Sequence, residues 1–152
     1  VKKVVCGGWH SIALADTKDL YTWGWNQSGQ TGFPAPVGIY SNSTKTQQLE
    51  TSTEDSETVG VVLYPTLLEL ESCASSDAFV SITDVSCGTR HTAAVTADGK
   101  LITWGWAQYG QLGHASNSKN HCTMHNPHVA SWFEEQKLFV AAVSCGPWNT
   151  FV

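Results

Sequence analysis

The sequence predicts an all-β fold built from repeated antiparallel sheets. Three observations predict it: a long internal repeat, thirteen glycines and seven tryptophans in a chain of 152 residues. Large flat side chains favour strands, and glycine permits the tight turns that join short strands. Apolar residues make up 41% of the chain and charged residues 14%, a balance typical of a protein with a folded core rather than of a disordered one.

The repeat is the strongest of these signals. Val4–Gly32 aligns without a gap to Val85–Gly113 at a constant offset of 81, with 14 of 29 positions identical. A third copy, aligned to the second at an offset of 58, begins near Val143. The first unit is therefore longer than the second by the difference of the two offsets, 23 residues. Repeats of this length stack side by side and bury one another's apolar faces.

Each unit predicts strands in the same order. The first strand is expected at Val1–Cys6, Val80–Cys87 and Leu138–Cys145, the second at Ser11–Ala15 and Thr92–Thr96, the third at Leu20–Trp25 and Leu101–Trp106, and the fourth around Leu63–Leu70 and His128–Phe133. Asp98-Gly99 is a good tight-turn dipeptide, whereas its counterpart Thr17-Lys18 lacks the glycine. Four antiparallel strands per unit form a blade of a β-propeller. On the third strands, Trp23 and Trp104 are expected to be buried in like positions.

The predicted organisation is an incomplete β-propeller over residues 1–152, with about two blades and the start of a third. The first unit covers 1–70 with an acidic insertion at about 33–60, the second covers 78–133, and the third starts at 138–152. Within the insertion, Ser41–Thr58 is rich in Ser, Thr and acidic residues, which predicts a mobile loop. It is either an arm for a partner or a phosphorylation site, or a tolerated surface insertion.

Charge and hydropathy exclude several classes of partner. The net charge is −5 and Arg90 is the only arginine, so we expect no direct nucleic-acid binding by this segment. The chain lacks an apolar run of about 18 residues, and its start is too short for a signal peptide, so we expect no membrane contact. The five cysteines are an odd number, which favours a reducing compartment. Sequons at Asn26 and Asn42 favour secretion instead, but such short patterns arise often by chance, so an intracellular location is the preferred interpretation.

The recurring polar residues are interpreted as architecture. His10 and His91 occupy one repeat position, which is better explained by a hydrogen bond made once per blade than by a pair of acid–base groups. Cys6, Cys87 and Cys145 recur on what should be a buried strand, and we expect small buried thiols there.

Two kinds of chemistry find little support. Ligand-like gaps separate members of a cluster formed by His114, His121, Cys122, His125 and His128. No Cys-x-x-Cys pair accompanies the cluster, so a zinc site is the less favoured of two interpretations and loop residues the favoured one. Catalytic and phosphate-binding motifs are also lacking, so we expect neither an enzyme nor a cofactor.

The motifs C-G-x-x-H-[ST], T-W-G-W and G-Q-[LT]-G resemble the repeat of the regulator-of-chromosome-condensation family. The resemblance covers the chain except about Phe33 to Gly60, and it implies a seven-bladed propeller. Seven blades of about fifty residues need more than twice this length, so we expect a fragment, or a ring closed by other chain. Thr31, Ala107 and Asn149 depart from the family's usual Leu, Asn and His.

The resemblance also implies a function. It implies a non-catalytic scaffold that is chromatin-associated and nuclear, with a cytoplasmic pool as the alternative. Its partner would be a JmjC-domain oxygenase, either a histone demethylase or a hydroxylase. The competing function is nucleotide exchange on a Ran-type GTPase, an activity of some relatives. That activity would need a wedge element, which we do not identify in this sequence.

One position in the repeated turn Cys-Gly-x-x-His varies from unit to unit. The residue before the recurring histidine position is Trp9, Arg90 or Trp148. Propeller symmetry would bring the three turns to one rim, and Trp and Arg are the residue types most enriched at interface hot spots. We therefore predict a partner-binding face there. Further members of this predicted face are Asn149, Trp25 and Trp106. The alternative is that these side chains fold back and seal the turns of their own blades.

Overall fold

The computed structural model describes residues 1–36, 58–70, 80–114 and 123–152. Strands β1 (Lys3–Cys6), β2 (His10–Leu14), β3 (Leu20–Trp25) and β4 (Val61–Leu68) form the first sheet; β5 (Ile82–Cys87), β6 (His91–Thr96), β7 (Leu101–Trp106) and β8 (Thr123–Val129) form the second. A short helix α1 (Trp132–Glu135) precedes a two-stranded sheet of β9 (Ser144–Cys145) and β10 (Thr150–Phe151). All pairs are antiparallel, so the predicted all-β class with four-stranded sheets is confirmed.

The two four-stranded sheets repeat each other in detail. His10 lies opposite Gly24 in the first sheet, and His91 lies opposite Gly105 in the second. Both third strands have the bounds that the sequence predicts. The hairpin turn is also shared, because Lys18 adopts a φ of 77° where Gly99 has 78°. The turn geometry is therefore kept without a glycine, at the cost of a left-handed lysine.

Two predicted strands were wrong in their bounds. The fourth strand of the second sheet is Thr123–Val129, since its register on β7 runs from Trp106 opposite Thr123 to Ile102 opposite Val129. The chain then turns into α1, so the predicted strand at His128–Phe133 is mostly absent.

The predicted strand at Leu138–Cys145 is reduced to Ser144–Cys145. The preceding residues cross the hairpin of the second sheet instead of pairing in a ladder. There the Val140 N–H donates to the Gly99 carbonyl at 3.0 Å, and the Phe139 ring lies against Gly99.

Successive sheets stack through their first two strands, with β5 against β1 and β2, and β9 against β5 and β6. One apolar cluster fills the space between the first and second sheets: Ile12, Leu14, Leu20, Leu68, Leu70, Ile82, Val85, Ala94, Ile102 and Trp104. A second cluster lies between the second sheet and the third unit: Ala93, Val95, Leu101, Ala130, Val140 and Val143. Burial between stacked sheets stabilises repeat units that could not each bury their own apolar faces.

Trp23 and Trp104 are equivalent in sequence but differ in burial. Trp104 is fully buried, and its indole Nε1–H donates to the Gln30 carbonyl at 3.0 Å. Trp23 is only half-buried, so the prediction of like burial was wrong. The reason is packing, because Trp104 belongs to the apolar cluster between the first and second sheets, whereas Trp23 belongs to neither cluster of the described residues.

The buried histidines link one sheet to the next. His10 Nε2 lies 2.8 Å from Thr92 Oγ1, and His91 Nε2 lies 3.1 Å from Thr150 Oγ1. The prediction that these histidines make one structural hydrogen bond per unit is confirmed. Burial, with a smaller effect of the nearby His91, lowers the pKa of His10 to about 4. Burial likewise lowers the pKa of His91.

The three recurring cysteines are not equally buried, which corrects the expectation of buried thiols. Cys6 is exposed, while Cys87 and Cys145 are half-buried. Cys87 lies on β5, which contacts a neighbouring sheet on each side, and Cys145 lies on β9, which contacts the second sheet. Burial raises the pKa of the Cys87 thiol to about 12. Their position in the stack therefore separates three residues that the repeat makes equivalent.

Two further features bear on the sequence predictions. Within the described ranges, no helix is long and apolar enough to cross a membrane. The predicted mobile loop at Ser41–Thr58 lies, apart from its last residue, outside the residues that the structure describes.

Candidate functional site: an aromatic rim

Three equivalent turns build the site. The Gly7 N–H donates to the His10 carbonyl at 2.8 Å, and the same closing bond joins Gly88 to His91 at 2.9 Å and Gly146 to Asn149 at 3.0 Å. Asn149 thus keeps the backbone of the turn although it replaces histidine. Trp9, Arg90 and Trp148 occupy the same place in these turns, one in each of three successive sheets.

Each of the first two turns is fastened to the end of the third strand of its own sheet. The Trp25 N–H donates to the Trp9 carbonyl, and the Trp106 N–H donates to the Arg90 carbonyl, both at 2.8 Å. The glycine before each tryptophan permits this approach. In the second sheet that glycine is Gly105, whose φ is 104° and whose added Cβ would lie 2.5 Å from the Arg90 carbonyl oxygen.

The side chains of these turns and strand ends form a continuous row. Trp9 meets Trp25 edge to face, with ring centroids 5.6 Å apart. The Arg90 guanidinium carbon lies 5.2 Å from the Trp25 ring centroid and 5.6 Å from that of Trp106. Trp106 then meets Trp148 edge to face at 5.2 Å. Each strand-end tryptophan therefore contacts the turn residue of its own sheet and that of the next.

Tyr109 extends this row. Its ring lies 5.2 Å from the Trp106 centroid and 6.2 Å from that of Trp148, nearly perpendicular to the latter at 90°. We call the six side chains Trp9, Trp25, Arg90, Trp106, Tyr109 and Trp148 the aromatic rim. Trp9, Tyr109 and Trp148 are exposed by 61%, 64% and 47%, and the other three are half-buried. The rim is thus ordered by its own ring contacts, and three of its rings are exposed in this chain.

The structure brings five of the six predicted site residues together in this row. The sixth, Asn149, is exposed beside Trp148, and its side-chain oxygen lies against Gly146 in its own turn. The sequence prediction missed Tyr109. Its only signal was an aromatic residue where the first unit has Ser28.

A cavity of about 210 Å³ lies next to the rim. It is lined by Gln111, Thr150 and Trp148 among others. Thr150 Oγ1 donates to the Gln111 carbonyl at 2.7 Å, as Thr92 Oγ1 donates to the Gln30 carbonyl at 2.9 Å. At the first interface the corresponding space holds the Trp104 indole, which also donates to Gln30.

The histidine cluster gives no metal centre within the described part of the chain, where no group of three candidate ligands converges. His114 and His128 stack edge to face at 5.5 Å, and His114 Nε2 lies 3.0 Å from Thr103 Oγ1. His125 packs on Gly29 of the first sheet. His121 and Cys122 lie outside the described residues.

The stacked four-stranded sheets and their shared turns define a β-propeller repeat protein. The chain belongs to the regulator of chromosome condensation (RCC1) repeat family, whose models match residues 19–95 and 98–152, and residues 1–30 and 82–111. The resemblance predicted from the motifs is thereby confirmed.

Curated relatives agree with this assignment. The chain is 39% identical over 163 residues to RCC1 domain-containing protein 1 of Mus musculus, and 38% identical over 165 residues to that of Homo sapiens. Each alignment covers 99% of this chain and 41% of the relative. The chain therefore spans about two fifths of the length of these relatives.

Solved structures show the same fold. Yeast RCC1 (Prp20), in its complex with Kap60, superposes with a TM-score of 0.69 at 19% identity, covering 99% of this chain and 29% of that one. Human WBSCR16 superposes with a TM-score of 0.55 at 25% identity, covering 84% of this chain and 24% of that one. This chain is therefore part of a β-propeller.

Proposed function

We propose that the chain acts as a non-catalytic protein-interaction scaffold and that the aromatic rim is its partner-binding surface. The observation that carries the proposal is the unbroken row of ring and guanidinium contacts from Trp9 to Trp148, which crosses three sheets and includes exposed rings. Exposed aromatic residues grouped in this way on a soluble protein favour an interface.

The contacts within the rim suit it to binding. The ring of Trp25 is held between Trp9 and Arg90, and that of Trp106 between Arg90 and Trp148. Side chains that are already ordered lose little conformational entropy when a partner covers them, so more of the buried area contributes to affinity. The same contacts argue against side chains that only seal their own turns, because they join neighbouring sheets.

The partner in this proposal is a JmjC-domain oxygenase, a histone demethylase or hydroxylase, and the protein is chromatin-associated and nuclear. The support is the family resemblance, together with the identity of 38–39% to RCC1 domain-containing protein 1. A protein partner also fits the charge better than nucleic acid does, because the net charge is −5 and Arg90 is the only arginine.

Titration calorimetry of the intact protein with the JmjC-domain partner tests the proposal. Replacing Trp9, Arg90 or Trp148 with alanine should each weaken binding by about 2 kcal/mol, roughly thirtyfold, with little change in Tm. Trp132→Ala is the matched control, since Trp132 is 53% exposed on α1 and outside the rim. Unchanged affinity in all three rim variants would reject the rim as the partner-binding surface. A fall in Tm that accompanies the loss of affinity in every variant would indicate a structural role.

A nucleotide-release assay separates this function from exchange on a Ran-type GTPase. The intact protein should leave the rate of release from the GTPase at its intrinsic value. Rapid release would overturn the scaffold-only function, and the rim variants would then show whether the rim takes part.

A further inference from the structure

Arg90 shows which side chain fits between two neighbouring strand-end tryptophans. Its guanidinium lies 5.2 Å from the Trp25 centroid on one side and 5.6 Å from the Trp106 centroid on the other. Both distances are within the range of a cation–π interaction, and arginine makes such contacts more often than lysine. The rim therefore contains, within one chain, an example of an arginine held by indole rings.

The turn positions on either side of Arg90 carry rings instead of a cation. Trp9 and Trp148 stand where Arg90 stands in the repeat, and they are 61% and 47% exposed. Tyr109 adds a third exposed ring, perpendicular to Trp148. The exposed rings of Trp9, Tyr109 and Trp148 thus offer aromatic surface whose faces carry partial negative charge.

The charge of the chain favours the same kind of ligand. Thirteen acidic residues outnumber eight basic ones. A net negative protein attracts a basic segment at long range and disfavours an acidic one.

We infer that the occupant of the aromatic rim is a basic protein segment that places arginine side chains on the faces of Trp9 and Trp148, in line with the internal Arg90. This inference rests on the proposed function and specifies the chemistry of the partner at that site. Binding of the whole partner is tested separately, by titration calorimetry of the alanine variants.

A peptide assay tests the inference. The probes are short Gly/Ser peptides with evenly spaced Arg, and otherwise identical peptides with Leu or Glu in place of Arg. Binding to the intact protein is measured by fluorescence anisotropy and by the NMR shifts of the Trp9 and Trp148 indole N–H groups. The Arg peptide should bind about tenfold more tightly than the Leu peptide, and the Glu peptide more weakly still.

Substitutions identify the interaction as cation–π rather than apolar. Trp9→Leu and Trp148→Leu keep an apolar side chain but remove the ring, and each should weaken binding of the Arg peptide about fivefold to tenfold. Trp9→Phe and Trp148→Phe should retain part of the affinity. Trp132→Leu is the control and should change nothing, because Trp132 is exposed but outside the rim.

The outcomes separate this inference from the proposed function. Equal binding of the Arg and Leu peptides would overturn the inference that the occupant is basic. The proposed function would still hold if the alanine variants of the rim lost affinity for the whole partner. Binding of the Arg peptide that is the same in all leucine variants would place it elsewhere on the protein, and would also overturn the inference.

Discussion

His10 and Thr92 join the first sheet to the second through a single hydroxyl group. Thr92 Oγ1 donates to the Gln30 carbonyl at 2.9 Å, so its proton is used there, and it accepts a hydrogen bond from His10 Nε2–H at 2.8 Å. His10 is therefore the neutral Nε2–H tautomer, and its buried Nδ1 has no hydrogen-bond partner among the described residues. His91 and Thr150 repeat the arrangement one sheet further on.

Removing this hydroxyl should weaken the contact between sheets. Thr92→Val keeps the shape of the side chain but leaves the buried His10 Nε2–H without its acceptor, so we expect a loss of about 2 kcal/mol in the free energy of unfolding. Urea unfolding of the intact protein measures it. Thr66→Val on the exposed strand β4 is the control, since its hydroxyl bonds a local carbonyl in solvent. A Thr92→Val loss no larger than that of the control would contradict the role of the link.

The same histidine makes stability depend on pH. The pKa of His10 in the folded protein is about 4, below its ordinary 6.5, because burial disfavours the charged ring. The unfolded chain then binds more protons between these values, so stability is full above about pH 6.5 and falls as the pH drops towards 4, by about 3 kcal/mol. His10→Gln, which keeps a donor near the Nε2 position, should lack this share of the pH dependence. Parallel curves for both proteins across that range would refute it.

Gly105 should not tolerate a side chain. Its φ is 104°, and an added Cβ would lie 2.5 Å from the Arg90 carbonyl oxygen. Gly105→Ala should therefore cost about 3 kcal/mol of stability from backbone strain and the clash together. Gly110→Ala is the matched control, with a φ of 76° and open space around the added carbon, and should cost only about 1 kcal/mol. Equal losses in thermal unfolding would show that the close approach is not what requires glycine.

The left-handed Lys18 offers a stabilising change. Its φ of 77° matches the 78° of Gly99 in the second hairpin. Lys18→Gly relieves the strain of a residue in the left-handed conformation, and this gain exceeds the cost of the backbone entropy that glycine adds to the unfolded chain. We therefore expect the free energy of unfolding to rise by about 0.5 kcal/mol. Thr17→Gly, one position earlier, should lower stability, because it adds backbone entropy to the unfolded chain and removes the exposed hydrogen bond from Thr17 Oγ1 to Asp19. A lower Tm for Lys18→Gly than for the wild type would show that the lysine makes a contact worth more than the strain.

Much of the local structure was predictable because it depends on short-range patterns that occur twice. The third strands have their predicted bounds, since each combines strand-forming residues with a glycine at one repeat position. The structural role of His10 and His91 followed from the same repetition. The error at His128–Phe133 arose where the repeat ends and only weak local preferences remained, so the pairing of β8 with β7 decided the strand's bounds.

By itself, the sequence determined the repeat, the antiparallel order of strands in each unit and the placement of Trp9, Arg90 and Trp148 at one turn position, because these depend on residue type and spacing. Only the tertiary structure decided what each equivalent residue became. Trp104 is fully buried and Trp23 half-buried, because Trp104 packs in the cluster between the first and second sheets and Trp23 does not. Arg90 lies between two rings for a similar reason, since the stacking of the sheets places beside it Trp25, a residue 65 positions earlier in the chain.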